Sequence, residues 1–233
     1  MIERLNEIKA KLDKLENKKD ARVQFIYESL SNIQQQIRKF NSSVLIKIGN
    51  PVECWKNILI EYDVKAVYTN HDYGPKANER DDSIAKLAEQ AGATYHHFKD
   101  QVIFEKDEVI KDDGKPYTIY TPYARKWKAK LTDYHFNAYP TEKYLTHLHP
   151  FQTKALISLE EMGFEQVLLH PFPASATPNV VIQKYHELRD IPAVLGTSRL
   201  SLHLRFGTIS IRALARAAQH LNEKYLNELI WRD

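Results

Sequence analysis

Apolar residues recur every three or four positions at Ile2, Leu5, Ile8, Leu12 and Leu15 amid Lys and Glu, the period of a helix with one apolar face. A charged break at residues 17–20 follows. The same period then returns through Val23, Ile26, Leu30, Ile33 and Ile37, predicting a second helix. At residues 43–48 the pattern becomes a short apolar run closed by Gly49-Asn50-Pro51. It reads as a buried strand, with Pro51 placed to open a helix through Trp55 and Leu59. Residues 64–69 predict a strand, residues 79–90 a helix and residues 94–98 a further strand.

Strand, helix, strand, helix, strand at this spacing describes a parallel α/β sheet of Rossmann-like topology, since each crossover helix returns the chain to the same edge. No Gly-x-Gly-x-x-Gly is present, which excludes a dinucleotide-binding phosphate loop. Ligands of open parallel sheets sit beyond the carboxyl ends of strands, which directs attention to residues 70–75. Residues 102–120 read as irregular or hairpin-like with a turn at Asp113-Gly114, and Thr121-Pro122 opens a helix carrying Tyr123 and Trp127. Pro140, Pro150 and the polar stretch between them suggest a connector, and apolar residues at helical spacing follow it. The expected layout is an α/β domain over residues 1–135, a linker over 136–150 and a helical part over 151–233.

Composition fits a globular protein: 43% of the 233 residues are hydrophobic. The net charge of +3 is too small to argue for nucleic acid, but six of the eleven arginines follow Tyr185, and the arginine fork suits phosphate. Cys54 is the only cysteine, so neither an intramolecular disulfide nor a cysteine zinc site is expected. His71, His96 and His97 lack a second ligand group and read as surface histidines. No apolar run approaches the length needed to span a bilayer, and residues 1–20 lack a signal-peptide core, so a cytoplasmic protein is expected.

Three motifs close the sequence. The first is Tyr185-x-x-x-Arg189-Asp190-x-Pro192, and the second, Gly196-Thr197-Ser198-Arg199-Leu200-Ser201, gathers hydroxyls and backbone N–H groups. It reads either as plain helix capping or as a helix-start anion site fit for a pyrophosphate. The third is Glu228-Leu229-Ile230-Trp231-Arg232-Asp233, where Glu228, Trp231 and Arg232 are three and four apart and share one side of a helix.

In this order and spacing the motifs resemble the photolyase/cryptochrome family. The resemblance implies an antenna-type α/β domain followed by part of an all-α FAD-binding domain. It implies that Thr197, Ser198, Arg199, Leu200 and Ser201 line FAD, with Tyr185 and Tyr225 at further flavin contacts. It also implies that Glu228 and Trp231 meet an extruded pyrimidine dimer in DNA while Arg189 and Arg232 hold phosphates. Residues 69–73, Arg80-Asp81 and the run from Gly114 to Trp127 resemble antenna-domain segments, with Asn78 and Glu79 as candidates for an antenna chromophore of folate or flavin type. Gly74 and Lys76 depart from the family's acidic and aromatic residues there.

Relative to the family pattern, strands before Ile2 and the second half of the helical domain after Asp233 are missing. The sequence therefore reads as a fragment with a flavin pocket open on one side and weak FAD binding. The implied activity is light-driven repair of cyclobutane pyrimidine dimers, by a protein monomeric when full length. A cryptochrome-type blue-light sensor and an inactive photolyase fragment are the alternatives.

Overall fold

The computed structural model describes residues 18–152, 155–167 and 171–233. The helix expected over residues 2–15 lies outside them. Two compact units are formed, Met1–Ile46 with Tyr139–Pro173, and Lys47–Ala138 with Ala174–Asp233. Packing thus joins segments that are distant in sequence.

In the first unit, α1 (Ala21–Ile37) begins where Asp20 accepts the Arg22 N–H at 2.8 Å. Phe25 is buried and meets Phe172 edge-on, with ring centroids 5.2 Å apart. Two buried glutamines organise the surrounding chain. Gln24 accepts the Val167 N–H at 2.6 Å, while Gln34 accepts the Val44 N–H at 2.6 Å and donates to the Ser43 hydroxyl at 2.8 Å. This corrects the strand expected over residues 43–48: the segment takes no regular secondary structure and pairs with no strand among the described residues. A side chain has taken a backbone donor that a ladder would need.

In the second unit, Asn50 caps α2 (Pro51–Glu61) by accepting the Val52 N–H at 2.9 Å, with Pro51 in the first turn as expected. β1 (Ala66–Asn70), α3 (Pro75–Gln90) and β2 (Thr94–Phe98) form a β-α-β unit whose strands pair in parallel, Ala66 opposite Thr94 through Asn70 opposite Phe98. α3 starts four residues earlier than the sequence pattern suggests, because Pro75 supplies a first-turn φ at no cost in hydrogen bonds. Val67, Ala88 and Ala93 form its small core against Trp55 and Leu59. The fold is α/β.

The larger core of this unit lies among α4 (Tyr120–Lys130), α5 (Asn179–Gln183), α6 (Tyr185–Leu188), α7 (Ser201–Phe206), α8 (Ile211–Leu221) and α9 (Glu223–Arg232). Trp127, Phe104, Ile182, Leu204, Ala215, Ala218 and Ile230 are buried together. Alanines on α8 remove side-chain bulk and let α9 approach closely. The helical spacing expected beyond residue 150 does not extend over all of it: 151–178 carry no helix among their described residues, and Pro171, Pro173 and Pro178 disfavour one. No described helix is long and apolar enough to cross a membrane.

Candidate flavin and DNA-lesion site

Asn222 sits at the corner between α8 and α9. Its side-chain oxygen accepts the N–H groups of Lys224 and Tyr225 at 2.9 and 3.2 Å, and its amide donates to the Gln183 carbonyl at 2.8 Å. This fixes where α9 starts and places Tyr225 in the core, with its hydroxyl donating to Ser198 Oγ at 2.8 Å. Burial raises the Tyr225 phenol above its ordinary pKa, although the Ser198 hydrogen bond pulls the other way. Tyr185 meets Tyr225 edge-on at 5.1 Å, and the Arg189 guanidinium lies 5.7 Å from the Tyr185 ring. The first two motifs and the start of α9 are therefore one connected structure.

Residues 196–201 do not form the capped helix start read from the sequence. Leu200 precedes α7, no side chain caps it, and α7 has only six residues. Leu200 is buried, whereas Thr197, Arg199 and Ser201 are exposed; Arg199 takes φ 55. Gly196 makes this shape possible by lying against the end of α6, where a Cβ would come within 2.3 Å of the Leu188 carbonyl oxygen. The exposed hydroxyls and guanidinium are chemically suited to an anionic phosphate group. A side-chain cap occurs only beyond the motif, at Ser210, which accepts the Ala213 N–H of α8.

On α9, the outward turn carries Glu228 and Trp231. Glu228 pairs with Arg189, whose guanidinium also stands 3.5 Å from Asp190. Trp231 is 64% exposed and stacks flat on Tyr120, with centroids 4.1 Å apart and ring planes within 5°. Both rings line an open cavity of about 370 Å³, together with Tyr117 and Tyr123. None of residues 197–201 lines it.

Arg232 corrects the sequence expectation. Its guanidinium donates to the carbonyls of Gln101 and Leu204, the latter at 2.9 Å, and burial lowers its pKa. It is committed to closing the fold and is not presented to a phosphate. Of the other late arginines, Arg212 pairs with Asp100 at 2.6 Å and Arg216 donates to the Phe136 carbonyl. Arg189 is tied to Glu228, so a phosphate would compete with a carboxylate for it. The arginine bias thus reflects internal bonding as much as a phosphate-facing surface.

Sequence reasoning missed Asp233. Its carboxylate accepts from Trp127 Nε1 at 2.9 Å and from the N–H groups of Ile103 and Phe104 at 3.1 and 3.2 Å. Burial pushes its pKa up to about 6 despite these hydrogen bonds. It also missed Asn227, whose side-chain oxygen is buried without a hydrogen-bond partner. Neither role has a local sequence signal, since each depends on segments more than a hundred residues away or on burial.

At the carboxyl ends of β1 and β2, Glu105 gathers His71 Nδ1 at 2.8 Å and the Tyr73 hydroxyl at 2.9 Å, and His97 lies edge-on to His71 at 4.3 Å. Burial acts to raise the Glu105 pKa, but the His71 and Tyr73 hydrogen bonds outweigh it and the net shift is downward. His71, read as a surface histidine, is instead largely covered, because Glu105 arrives from beyond β2. Asn78 and Glu79 are exposed near the start of α3 and are not brought into this cluster. Among the described residues, no three metal-capable side chains converge.

The DNA photolyase family model matches residues 5–143, more than half of the sequence. The chain belongs to the DNA photolyase family. It is 30% identical over 213 residues to a deoxyribodipyrimidine photo-lyase of Synechococcus sp., covering 85% of this chain and 44% of the relative. With that of Halobacterium salinarum the identity is 28% over 214 residues, covering 85% and 43%. Among solved structures, the fold is similar to a class III photolyase from Agrobacterium tumefaciens (TM-score 0.70, 22% identity, 89% of this chain and 47% of that one). It is also similar to an archaeal photolyase from Sulfolobus tokodaii solved with two FAD molecules (TM-score 0.62, 23% identity, 91% and 46%). The chain spans less than half the length of these relatives.

Proposed function

We propose that this chain takes part in light-driven repair of cyclobutane pyrimidine dimers in DNA, as part of a flavin-dependent photolyase. In this reading residues 1–135 belong to the antenna domain, 136–150 connect, and 151–233 begin the FAD-binding domain. The observation that carries it is the hydrogen bond from Tyr225 to Ser198. It ties the phosphate-suited loop to the same helix that, three and six residues further on, presents Glu228 and Trp231 outward.

Thr197, Arg199 and Ser201 would hold the cofactor's phosphates, and Tyr185 and Tyr225 would supply aromatic surface to it. Reduced FAD, when bound, would supply on illumination an electron that opens the cyclobutane ring and returns to the flavin once the two pyrimidines are restored, so that no net oxidant or reductant is consumed. Trp231 offers a flat apolar face to an extruded base, offsetting part of the unstacking cost, and Glu228 accepts a hydrogen bond from the base edge. Arg189 keeps Glu228 oriented and exchanges toward a DNA phosphate on binding. A cytoplasmic location fits the single free cysteine.

The test supplies the chain with excess photoreduced FAD and a dimer-bearing oligonucleotide, and counts dimers chromatographically after illumination and in the dark. Dimers should fall only in the light, with Trp231→Ala slowing their loss at least about tenfold. Unchanged dimers in the light, with FAD and DNA both bound, would contradict the proposal.

A further inference from the structure

We propose that Tyr120 is a positioning residue that holds the Trp231 indole as a preordered platform for an extruded nucleobase. The inference rests on the DNA-lesion reading above and extends it to a residue on a different helix. An indole that is 64% exposed would ordinarily be free to change rotamer, since no core surrounds it. Here one face is covered by the Tyr120 ring at 4.1 Å, nearly parallel.

The stack is not a loose surface contact. Tyr120 is the first residue of α4, and its hydroxyl donates to the Asn227 carbonyl of α9 at 2.9 Å. Asn227 lies one helical turn before Trp231, so the hydroxyl and the ring of Tyr120 grip α9 at two consecutive levels. Burial, followed by the nearby Glu228 charge, raises the Tyr120 phenol pKa, which keeps its donor proton in place. One indole face is thereby closed, while the residue stays 64% exposed and borders the cavity that Tyr117, Tyr120 and Tyr123 also line.

A flat ligand stacking on the open face would extend two rings to three. A base fits this geometry better than an aliphatic ligand, because the platform offers area and a π-face. Holding the indole before binding also removes the cost of ordering it afterwards.

Tyr120→Phe retains the ring, Tyr120→Leu retains apolar volume without a π-face, and Tyr120→Ala removes both. Each variant of the 233-residue chain is titrated with a labelled duplex carrying one thymine dimer and with the undamaged duplex, at one ionic strength because phosphate contacts depend on salt. The affinity ratio between the duplexes is the readout, with circular dichroism confirming the fold. The ratio should fall about tenfold in the Leu and Ala variants and stay within about twofold in Phe, while undamaged-duplex affinity is unchanged. Leu or Ala variants that keep or increase the ratio would overturn the proposal while leaving the DNA-lesion reading intact. So would a Phe variant as poor as Leu. Equal affinity of the unsubstituted chain for both duplexes would overturn the two together.

Discussion

Asp233→Ala is expected to be the most damaging single change in the second unit. It leaves the Trp127 indole N–H and the N–H groups of Ile103 and Phe104, all three buried residues, without their common acceptor. A buried donor left unpaired costs about 1–3 kcal/mol, so three together cost about 3 kcal/mol or more, a large share of the stability of a small domain. Urea unfolding followed by circular dichroism should show a collapsed midpoint or no cooperative transition.

Asp233 also sets a pH dependence. Its pKa rises from 3.8 to about 6 on folding, so the folded state holds the proton more tightly. The stability contributed by the neutral acid is therefore fully present below pH 3.8 and is lost as pH rises through about 6, a span of about 3 kcal/mol. Asp233→Asn, which keeps an acceptor oxygen but cannot ionise, should lack this loss. The difference in unfolding free energy between the two proteins should change across that window and be flat above it. A constant difference from pH 4 to 7 would show that Asp233 does not titrate as described.

The second large effect is expected at Gly196. An added Cβ would stand 2.3 Å from the Leu188 oxygen and 2.6 Å from its carbon, both backbone atoms that cannot rotate away. Gly196→Ala must push residues 196–201 off the end of α6, separating the phosphate-suited hydroxyls from Tyr185. A stability loss of about 1–3 kcal/mol follows from overpacking, with FAD binding reduced further because the loop itself is displaced. Gly74→Ala is the control, since the nearest atom to its added Cβ is Ala77 Cβ at 4.0 Å. It should cost under about 1 kcal/mol and leave FAD binding unchanged. Matching losses in the two variants would remove the steric explanation.

What the sequence made legible was local. Pro51 announces a helix start, and two short runs around an amphipathic segment announce β1, α3 and β2 in parallel. The closing motif likewise placed Glu228, Trp231 and Arg232 on one helix, because i, i+3 and i, i+4 spacing is a property of the chain itself. The errors arose where distant side chains decide the outcome. Residues 43–48 have a strand's composition, yet Gln34 occupies the Val44 amide. Arg232 has the residue type for a phosphate contact, yet carbonyls from residues 101 and 204 hold it inside. The stacking of Tyr120 on Trp231 joins positions 111 residues apart, and no pattern within either segment announces it.

The central claim is that residues 196–201, Tyr225 and α9 form one flavin-facing structure. Equilibrium dialysis of FAD against the chain and against its Ser198→Ala, Tyr225→Phe and doubly substituted forms tests it most directly. The two side chains share one hydrogen bond, so the double substitution should weaken binding no more than the stronger single one. The account predicts saturable binding of one FAD per chain, weak enough to be lost on gel filtration, and weakened several-fold by either substitution. FAD binding that does not saturate, that survives purification stoichiometrically, or that ignores both substitutions would contradict it.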